Sequence, residues 1–337
     1  MNLKDIADLT GVSAATVSNV INGNHHKVSK ETIEKVNQII KQYDYKPNAV
    51  ARSLAMKESK IIGVVIPNLK LEEIFSVNPN NVEIVSNLEQ YIRSQGYFLM
   101  VRGVEKCREI IPLFSSWNMD GIIFLGAFKN EVAKINEKLK IPTLFIDTYA
   151  DELPIANVGI DDYKGAFLAT RYLTAKGHKQ IAFAGPNIES PGVIHERFRG
   201  YSDAMKEKGI VITPDYIFEG LTLFEQGVAI GKQIDSSSVP FTAVVAMSDI
   251  LAFGIMEGLR LCGLNVPEDV SVIGFDNLPE CRYTNPQLTT ISQHLEKKAL
   301  LAGQYLFRMI RDKEIIHVNE KVDVEIIERH SVKQIIT

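Results

Sequence analysis

The sequence predicts an α/β protein in two parts: an N-terminal all-α helix-turn-helix headpiece, then a body of two doubly wound parallel-sheet subdomains. Three observations carry this. The first sixty residues read as short capped helices without a strand-like run. From Lys60 onward, apolar runs rich in Val and Ile alternate with helical stretches, the rhythm of doubly wound layers. Seven or more such runs over the rest of a 337-residue chain suit two sheets better than one.

Asn2 is placed to cap a first helix, with Asp5 at its third position as in a capping box. Ile6, Ala7 and Leu9 give that helix an apolar side, and Gly11 stops it. Only Val12 separates the stop from Ser13, a second N-cap. A helix from Ala14 to Ile21 follows, with Val17, Val20 and Ile21 on one side and Asn22-Gly23 at its end. Two helices joined by so short a glycine-containing turn must cross steeply, which is the helix-turn-helix arrangement. His25-His26-Lys27 is next, either a phosphate contact or a solvated turn. Ser29 caps a third helix, Lys30 to about Tyr43, where Ile33, Val36, Ile39 and Ile40 recur at helical spacing. After the break Tyr45-Lys46-Pro47-Asn48, residues 49–55 have room for two helical turns. A helix that short is marginal in water, so the segment reads as a hinge.

In the body, strands are expected at Ile61–Ile66, Phe98–Val101, Gly121–Leu125, Thr143–Ile146, Ile181–Ala184, Ala243–Ala246 and Val270–Gly274. Nearly all are continuous apolar runs, as buried parallel strands are. Helices are expected between them, among others at Val82–Gln95, Lys164–Lys176, Ile194–Lys208, Leu251–Leu261 and Leu295–Ile310. The tail Val322–Val332 alternates enough for a last strand crossing back.

Charge divides along the same line. The net charge of −4 argues against a nucleic-acid binder, but it hides an asymmetry. Nine Lys/Arg against six acids make the first sixty residues basic, and the acidic excess lies in the body. A basic head on an acidic body fits a nucleic-acid module joined to something else. Three cysteines, Cys107, Cys262 and Cys281, without Cys-x-x-Cys spacing predict neither a disulfide framework nor a zinc site, and a reducing, cytoplasmic setting. The start MNLKDIADLT lacks an apolar core, so no secretory signal is expected. No apolar run approaches the ~20 residues of a membrane span. No Gly-rich phosphate loop, Gly-x-Ser-x-Gly elbow, His-Glu-x-x-His or metal-ligand cluster is present. The expectation is therefore no enzyme, no cofactor and no metal.

Three blocks, in order and at matching spacing over almost the whole chain, carry a resemblance. The first is Leu3-Lys4-Asp5-Ile6-Ala7, then Gly11-Val12-Ser13-Ala14-Ala15-Thr16-Val17-Ser18, then Val28-Ser29 with Thr32. The second is Tyr45-Lys46-Pro47-Asn48-Ala49-Val50-Ala51-Arg52-Ser53-Leu54. The third is spread over the body: Gly177-His178, Arg197-Phe198-Arg199-Gly200-Tyr201, Asp249-Ile250-Leu251-Ala252-Phe253-Gly254, the run 266–276, and Pro286-Gln287-Leu288-Thr289-Thr290-Ile291. Together they resemble the lac repressor (LacI/GalR) family of bacterial transcription regulators. The resemblance implies a DNA-reading headpiece (1–46), a hinge helix and linker (47–59), and an effector-binding and dimerisation body (60–337) like the periplasmic binding proteins. Within the body it implies an N-subdomain of about 60–160 with 291–321 and a C-subdomain of about 161–290 with 322–337.

The same resemblance assigns residues. In a helix-turn-helix the second helix presents its N-terminal residues to base edges in the major groove. Here that names Ala14, Ala15, Thr16, Ser18, Asn19 and Asn22. Asn can bond adenine in bidentate fashion, and Ala can only touch a thymine methyl. Relatives usually carry Arg where Asn19 stands, which implies an operator that departs from the common one at that base. Asn48, Ala51 and Arg52 match the hinge, and Leu54 matches the leucine that relatives wedge into the minor groove. For the effector cleft the carry-over names Asp147 and Asp276 at strand carboxyl ends, where ligands bind in open α/β sheets. It also names Arg197, Ser248, Asp161 and Gln293, and Phe75 in a loop after the first strand that is longer than in relatives. Asp249 and Asp269 read instead as a helix cap and a turn acid.

The function expected is a sequence-specific repressor acting as a homodimer on a near-palindromic DNA operator. A small polar effector, a sugar or sugar derivative, would control its affinity through the body's closure. The alternatives are a catabolite-control-type regulator gated by a protein partner, and purine-type corepressor binding.

Overall fold

The computed structural model describes residues 2–45, 58–67, 78–106, 109–127, 129–150, 152–186, 188–189 and 192–335. The expected hinge with Asn48, Ala51, Arg52 and Leu54, and Phe75 of the long loop, lie outside the described residues. The chain divides into two compact units, Met1–Lys60 and Ile61–Thr337.

The head holds α1 (Leu3–Thr10), α2 (Ala14–Ile21) and α3 (Lys30–Gln42). Asn2 and Asp5 form the reciprocal capping box, and Gly11 takes the left-handed conformation (φ 69°) that lets the chain turn at once into α2. Ser13 and Ser29 cap α2 and α3 through the amides of Thr16 and Thr32. Ile6, Ala7, Val17, Val20 and Val36 make the core, ringed by Leu3, Val12, Ile33, Ile39, Ile40 and Tyr45. His25–Lys27 forms a short exposed 3₁₀ turn.

The body alternates strand and helix. Its first half runs β1 (Ile61–Ile66), α4 (Pro79–Ser94), β2 (Phe98–Gly103), α5 (Ile110–Trp117), β3 (Gly121–Leu125), α6 (Lys129–Lys138), β4 (Thr143–Ile146) and β5 (Ala156–Ile160). The second half runs α7 (Asp162–Ala175), β6 (Ile181–Gly185), α8 (Val193–Glu207), β7 (Ile217–Glu219), α9 (Phe224–Asp235), β8 (Ala243–Ala246), α10 (Asp249–Leu261), β9 (Ser271–Asp276) and β10 (Thr289–Ser292). Then come α11 (Leu295–Asp312), β11 (Val318–Val322) and β12 (Glu325–Ile327).

One sheet has the order β11-β5-β4-β3-β1-β2 and the other β12-β10-β9-β8-β6-β7. All pairings are parallel except β10 with β12. The chain therefore crosses between the sheets three times: after β5, after β10, and between β11 and β12. The strand β10 registers Ile291 on Phe275 and Ser292 on Asp276, so it belongs whole to the second sheet. The return crossing thus follows Ser292 instead of preceding Ile291. Likewise Val322 pairs with Ile160 in the first sheet, and the expected single tail strand is two short ones, one for each sheet.

The strands not expected from the sequence lack a long unbroken apolar run. β11, Val-Asn-Glu-Lys-Val, is an edge strand with one solvated face, and β7 has three residues. β5 and β10 are fully buried, but Asn157, Gly159 and the Thr-Thr-Ile-Ser run break the apolar pattern.

Helices α9 and α10 meet through glycine. A Cβ on Gly254 would strike the carbonyl oxygen of Phe224 and come within 2.8 Å of Gly227 Cα, and one on Gly227 would strike Leu251 O. The two backbones touch, and this contact fixes where α10 begins behind the carboxyl end of β8. Among the described residues, no helix is long and apolar enough to cross a membrane.

Candidate functional site

In the head, burial of Val17 and Val20 decides which face of α2 is presented. Ala14 and Ala15 are exposed, and Thr16, Ser18, Asn19 and Asn22 are partly exposed. Two of these are engaged locally: Thr16 Oγ1 lies 2.9 Å from Ser13 Oγ, and Asn22 Nδ2 donates to Ser18 Oγ at 3.2 Å. The outward surface at the helix start is therefore two methyl groups, with the Asn19 amide one turn further on.

In the body, a cavity of about 240 Å³ opens where the carboxyl ends of β3, β4, β6, β8 and β9 converge. Five of the residues expected at an effector line it together: Asp147, Arg197, Ser248, Asp276 and Gln293. Asn78, Asn80 and Asn81 from the start of α4, with Thr222, add polar groups. Ile84, Leu125, Ile146, Val193, Ile194 and Met247 supply apolar wall.

The backbone places the two carboxylates at a cost. Asp147 has φ 52° and Asp276 φ 132°, each a conformation that costs a non-glycine residue on the order of 1–3 kcal/mol and recurs at ligand clamps. Asp147 follows the last residue of β4 and Asp276 is the last residue of β9, so both carboxylates stand at strand carboxyl ends, where the cavity opens.

Arg197 arrives from the first turns of α8. Its Nε donates to Asp162 Oδ1 at 2.7 Å, its Nη1 to Met247 O at 2.5 Å, and its guanidinium lies 3.6 Å over the Phe275 ring. Asp162 also accepts from Tyr149 Oη at 2.5 Å. Burial pushes the Asp162 carboxyl above the usual range, against the pull of the Arg197 charge. Asp276 Oδ1 accepts from Asn80 Nδ2 at 3.1 Å and from Gln293 Nε2. Burial, reinforced by the Asp249 charge, pushes Asp276 up to about 7. Gln293 Oε1 accepts from Lys298 Nζ at 2.7 Å, and Lys298 Nζ also donates to Asp147 Oδ1 and Oδ2 at 3.0 and 2.7 Å.

Two residues stand elsewhere than expected, and the expected turn acid stands in its place. Asp161 does not line the cavity: its carboxylate caps α7 by accepting from the Lys164 amide at 2.8 Å, and the next residue, Asp162, is the buried acid that meets Arg197. Asp249 is not the cap of α10. Ser248 fills that place, accepting from the Leu251 amide. Asp249 is fully buried and accepts from the Leu278 amide, Cys281 Sγ and Thr290 Oγ1 at 2.8, 3.0 and 2.6 Å. Asp269 closes the turn at Asn265.

Sequence reading missed Asp162, Asn80 and Lys298. Lys298 did leave a signal: it stands on the apolar stripe Leu295, Ala299, Ala302, Leu306, Met309 of α11, where a lysine has to find a buried partner.

The comparisons with known proteins bear on both parts. A profile described as bacterial regulatory proteins, lacI family, matches residues 2–48. One described as periplasmic binding protein-like domain matches residues 170–332. The chain is 32% identical over 338 residues to the HTH-type transcriptional repressor PurR of Histophilus somni (strain 129Pt), covering 98% of each chain. It is 34% identical over 341 residues to the repressor of that name from Vibrio cholerae serotype O1 (strain M66-2), covering 99% of this chain and 98% of the other. Among solved structures, the lac repressor dimer bound to operator and the anti-inducer ONPF superposes with a TM-score of 0.86 at 26% identity, covering 99% of both chains. A regulator of the same family from Enterococcus faecium with bound ribose gives 0.71 at 26% identity, over 82% of this chain and 99% of that one.

Proposed function

Since the chain belongs to the lacI family of bacterial regulatory proteins and is a DNA-binding transcriptional repressor, not an enzyme, we propose that a sugar or sugar derivative in the body's cleft controls its affinity for a near-palindromic operator. The observation that carries this reading is the pair of carboxylates, Asp147 and Asp276, held at positive φ on opposite sheets and facing one cavity. Carboxylates accept hydroxyl hydrogen bonds, and the asparagine and glutamine amides both donate and accept, which suits a polyhydroxylated ring. The volume of about 240 Å³ falls below the roughly 300–1,000 Å³ of sites for drug-sized ligands, so the ligand is of monosaccharide size.

The mechanism is a population shift in a homodimer acting in the cytoplasm. Asp147 belongs to the first sheet, and Arg197, Ser248 and Asp276 to the second half. A ligand held by both favours one closure angle, and closure sets the spacing of the two hinge segments, including the Leu54 minor-groove wedge. The ligand shifts operator affinity only by its differential affinity for the two closure states. A thermal-shift screen of free sugars, sugar phosphates and purines tests the reading, because a ligand that binds the native state stabilises it by mass action. Hits among the sugars that also change operator affinity at fixed salt support it. Purine hits alone, or hits without effect on operator binding, refute it.

The head reads its operator with Ala15 and Asn19 in this proposal. Selection of operators from a randomised pool by the wild type and by Asn19→Arg should yield different bases at one symmetric position, adenine for the wild type and guanine for the variant. Discrimination of about 1–3 kcal/mol is expected there. Identical selected sequences would remove Asn19 from the reading surface.

A further inference from the structure

The cleft contains a charged residue that never touches its surface. Lys298 lies on the buried stripe of α11, its side chain fully buried. Its ammonium has three N–H groups. The contacts to the Asp147 carboxylate and to Gln293 Oε1 hold it inside the protein, and it is not among the described residues that line the cavity. It is therefore no ligand contact. What it does is act on two residues that are.

The first action is on charge. Lys298 pairs with Asp147 and Arg197 with Asp162, both at 2.7 Å. Each cation of this group is thus matched to its own carboxylate. Asp276 is held by two neutral amides instead. The second action is on orientation. An amide facing an ammonium has to present its oxygen, so Lys298 fixes which end of Gln293 points which way. The Gln293 Nε2 is thereby the end on Asp276. The groups run in one line from the first sheet to the second, Asp147, Lys298, Gln293 and Asp276, and Asn80 of α4 bonds Asp276 back to the first half.

We propose that Lys298 is a specificity-determining residue, which sets the cleft to take an uncharged hydroxyl-bearing ligand by cancelling Asp147 from behind and locking Gln293 onto Asp276. This rests on the reading of the cavity as a sugar site. An anionic counterpart, such as a phosphorylated sugar, would meet Asp276, while the one cation among the described lining residues, Arg197, has its charge already paired with Asp162. A cationic counterpart would be favoured only if Asp147 were released. The charged and titratable groups around Asp147 are Lys298, the Asp162–Arg197 pair with Tyr149, Asp276 beyond Gln293, and Lys321 across the small cavity behind β5.

The test uses the full-length protein and three matched probe series: free D-glucose, D-galactose and D-ribose, the amino sugars D-glucosamine and D-galactosamine, and the corresponding phosphates. The wild type should answer within the free-sugar series, with the phosphate of the same sugar at least about 10-fold weaker. Lys298→Met should bind that free sugar about 10-fold more weakly and shift its preference to the amino sugar. A variant that keeps the wild-type ranking, or a wild type that prefers phosphates, overturns the assignment. A second arm needs no ligand. Lys298→Met should lower Tm, because it leaves the Asp147 carboxylate without its buried cation. Asp147→Asn added to it should recover part of that loss. If no probe in any series binds the wild type, the sugar reading fails by itself. The ligand-free arm then decides for Lys298: recovery of Tm on adding Asp147→Asn upholds its cancelling role, and a double variant no more stable than Lys298→Met overturns it.

Discussion

Arg197→Met should lower the unfolding free energy by about 3–5 kcal/mol near neutral pH, the cost of removing one partner from a buried ion pair. Asp162 is almost completely buried, and Arg197 is its cation. Methionine keeps much of the bulk over Phe275 but leaves Asp162 with the Tyr149 hydroxyl alone among the partners described above. The pH dependence follows from the direction of the Asp162 shift. Its carboxyl already titrates above the usual range in the folded protein because of burial, so its contribution to stability is present at low pH and declines as pH rises through the folded value. Without Arg197 that value climbs further, and the loss is therefore greatest above it and shrinks toward acid. Urea unfolding at several values between about pH 5 and 8 reads this directly. A loss under about 1 kcal/mol, or one that does not change with pH, would mean that the pair is not the support described.

Gly254→Ala should cost about 3 kcal/mol, the upper end of ordinary overpacking, and Gly254→Val more. On an open helix face the same change would gain up to about 1 kcal/mol, so the sign itself is diagnostic. The penalty comes from the contact with α9, where a Cβ meets the Phe224 carbonyl and the Gly227 backbone, neither of which can rotate away. Relief requires α10 to move, and α10 carries Ser248 and Asp249 at its start. A thermal melt showing Gly254→Ala at or above the wild type would sink the argument.

What the sequence made legible is what repeats. Capped helices, apolar strands and the residues at strand carboxyl ends each have a local signature, and Asp147, Arg197, Ser248, Asp276 and Gln293 do come to one cavity. What stayed hidden was decided by pairing at long range. Whether Asp161 or Asp162 turns inward depends on which of them α7 needs for its first amides, and nothing in the dipeptide says so. Lys298 lies 151 residues from Asp147 along the chain. Its position on an apolar stripe was visible, but the partner was not. The helix expected from Val82 starts instead at Pro79, where proline at the first helical position is favourable, and so takes in Asn80 with Asn78 as its cap.

The three crossings between the sheets bear on how the protein is made. The last of them delivers β11 to one sheet and β12 to the other within ten residues, Val318–Ile327. Neither sheet has its full set of strands until a ribosome has translated β11 for the one and β12 for the other. The head, by contrast, is contiguous and finished within the first sixty residues. At roughly 5–20 residues per second, it emerges folded many seconds before the effector cleft can exist. A message cut short ahead of codon 318 would thus release a fragment able to fold its DNA-reading helices but lacking an edge strand from both halves of the sensor.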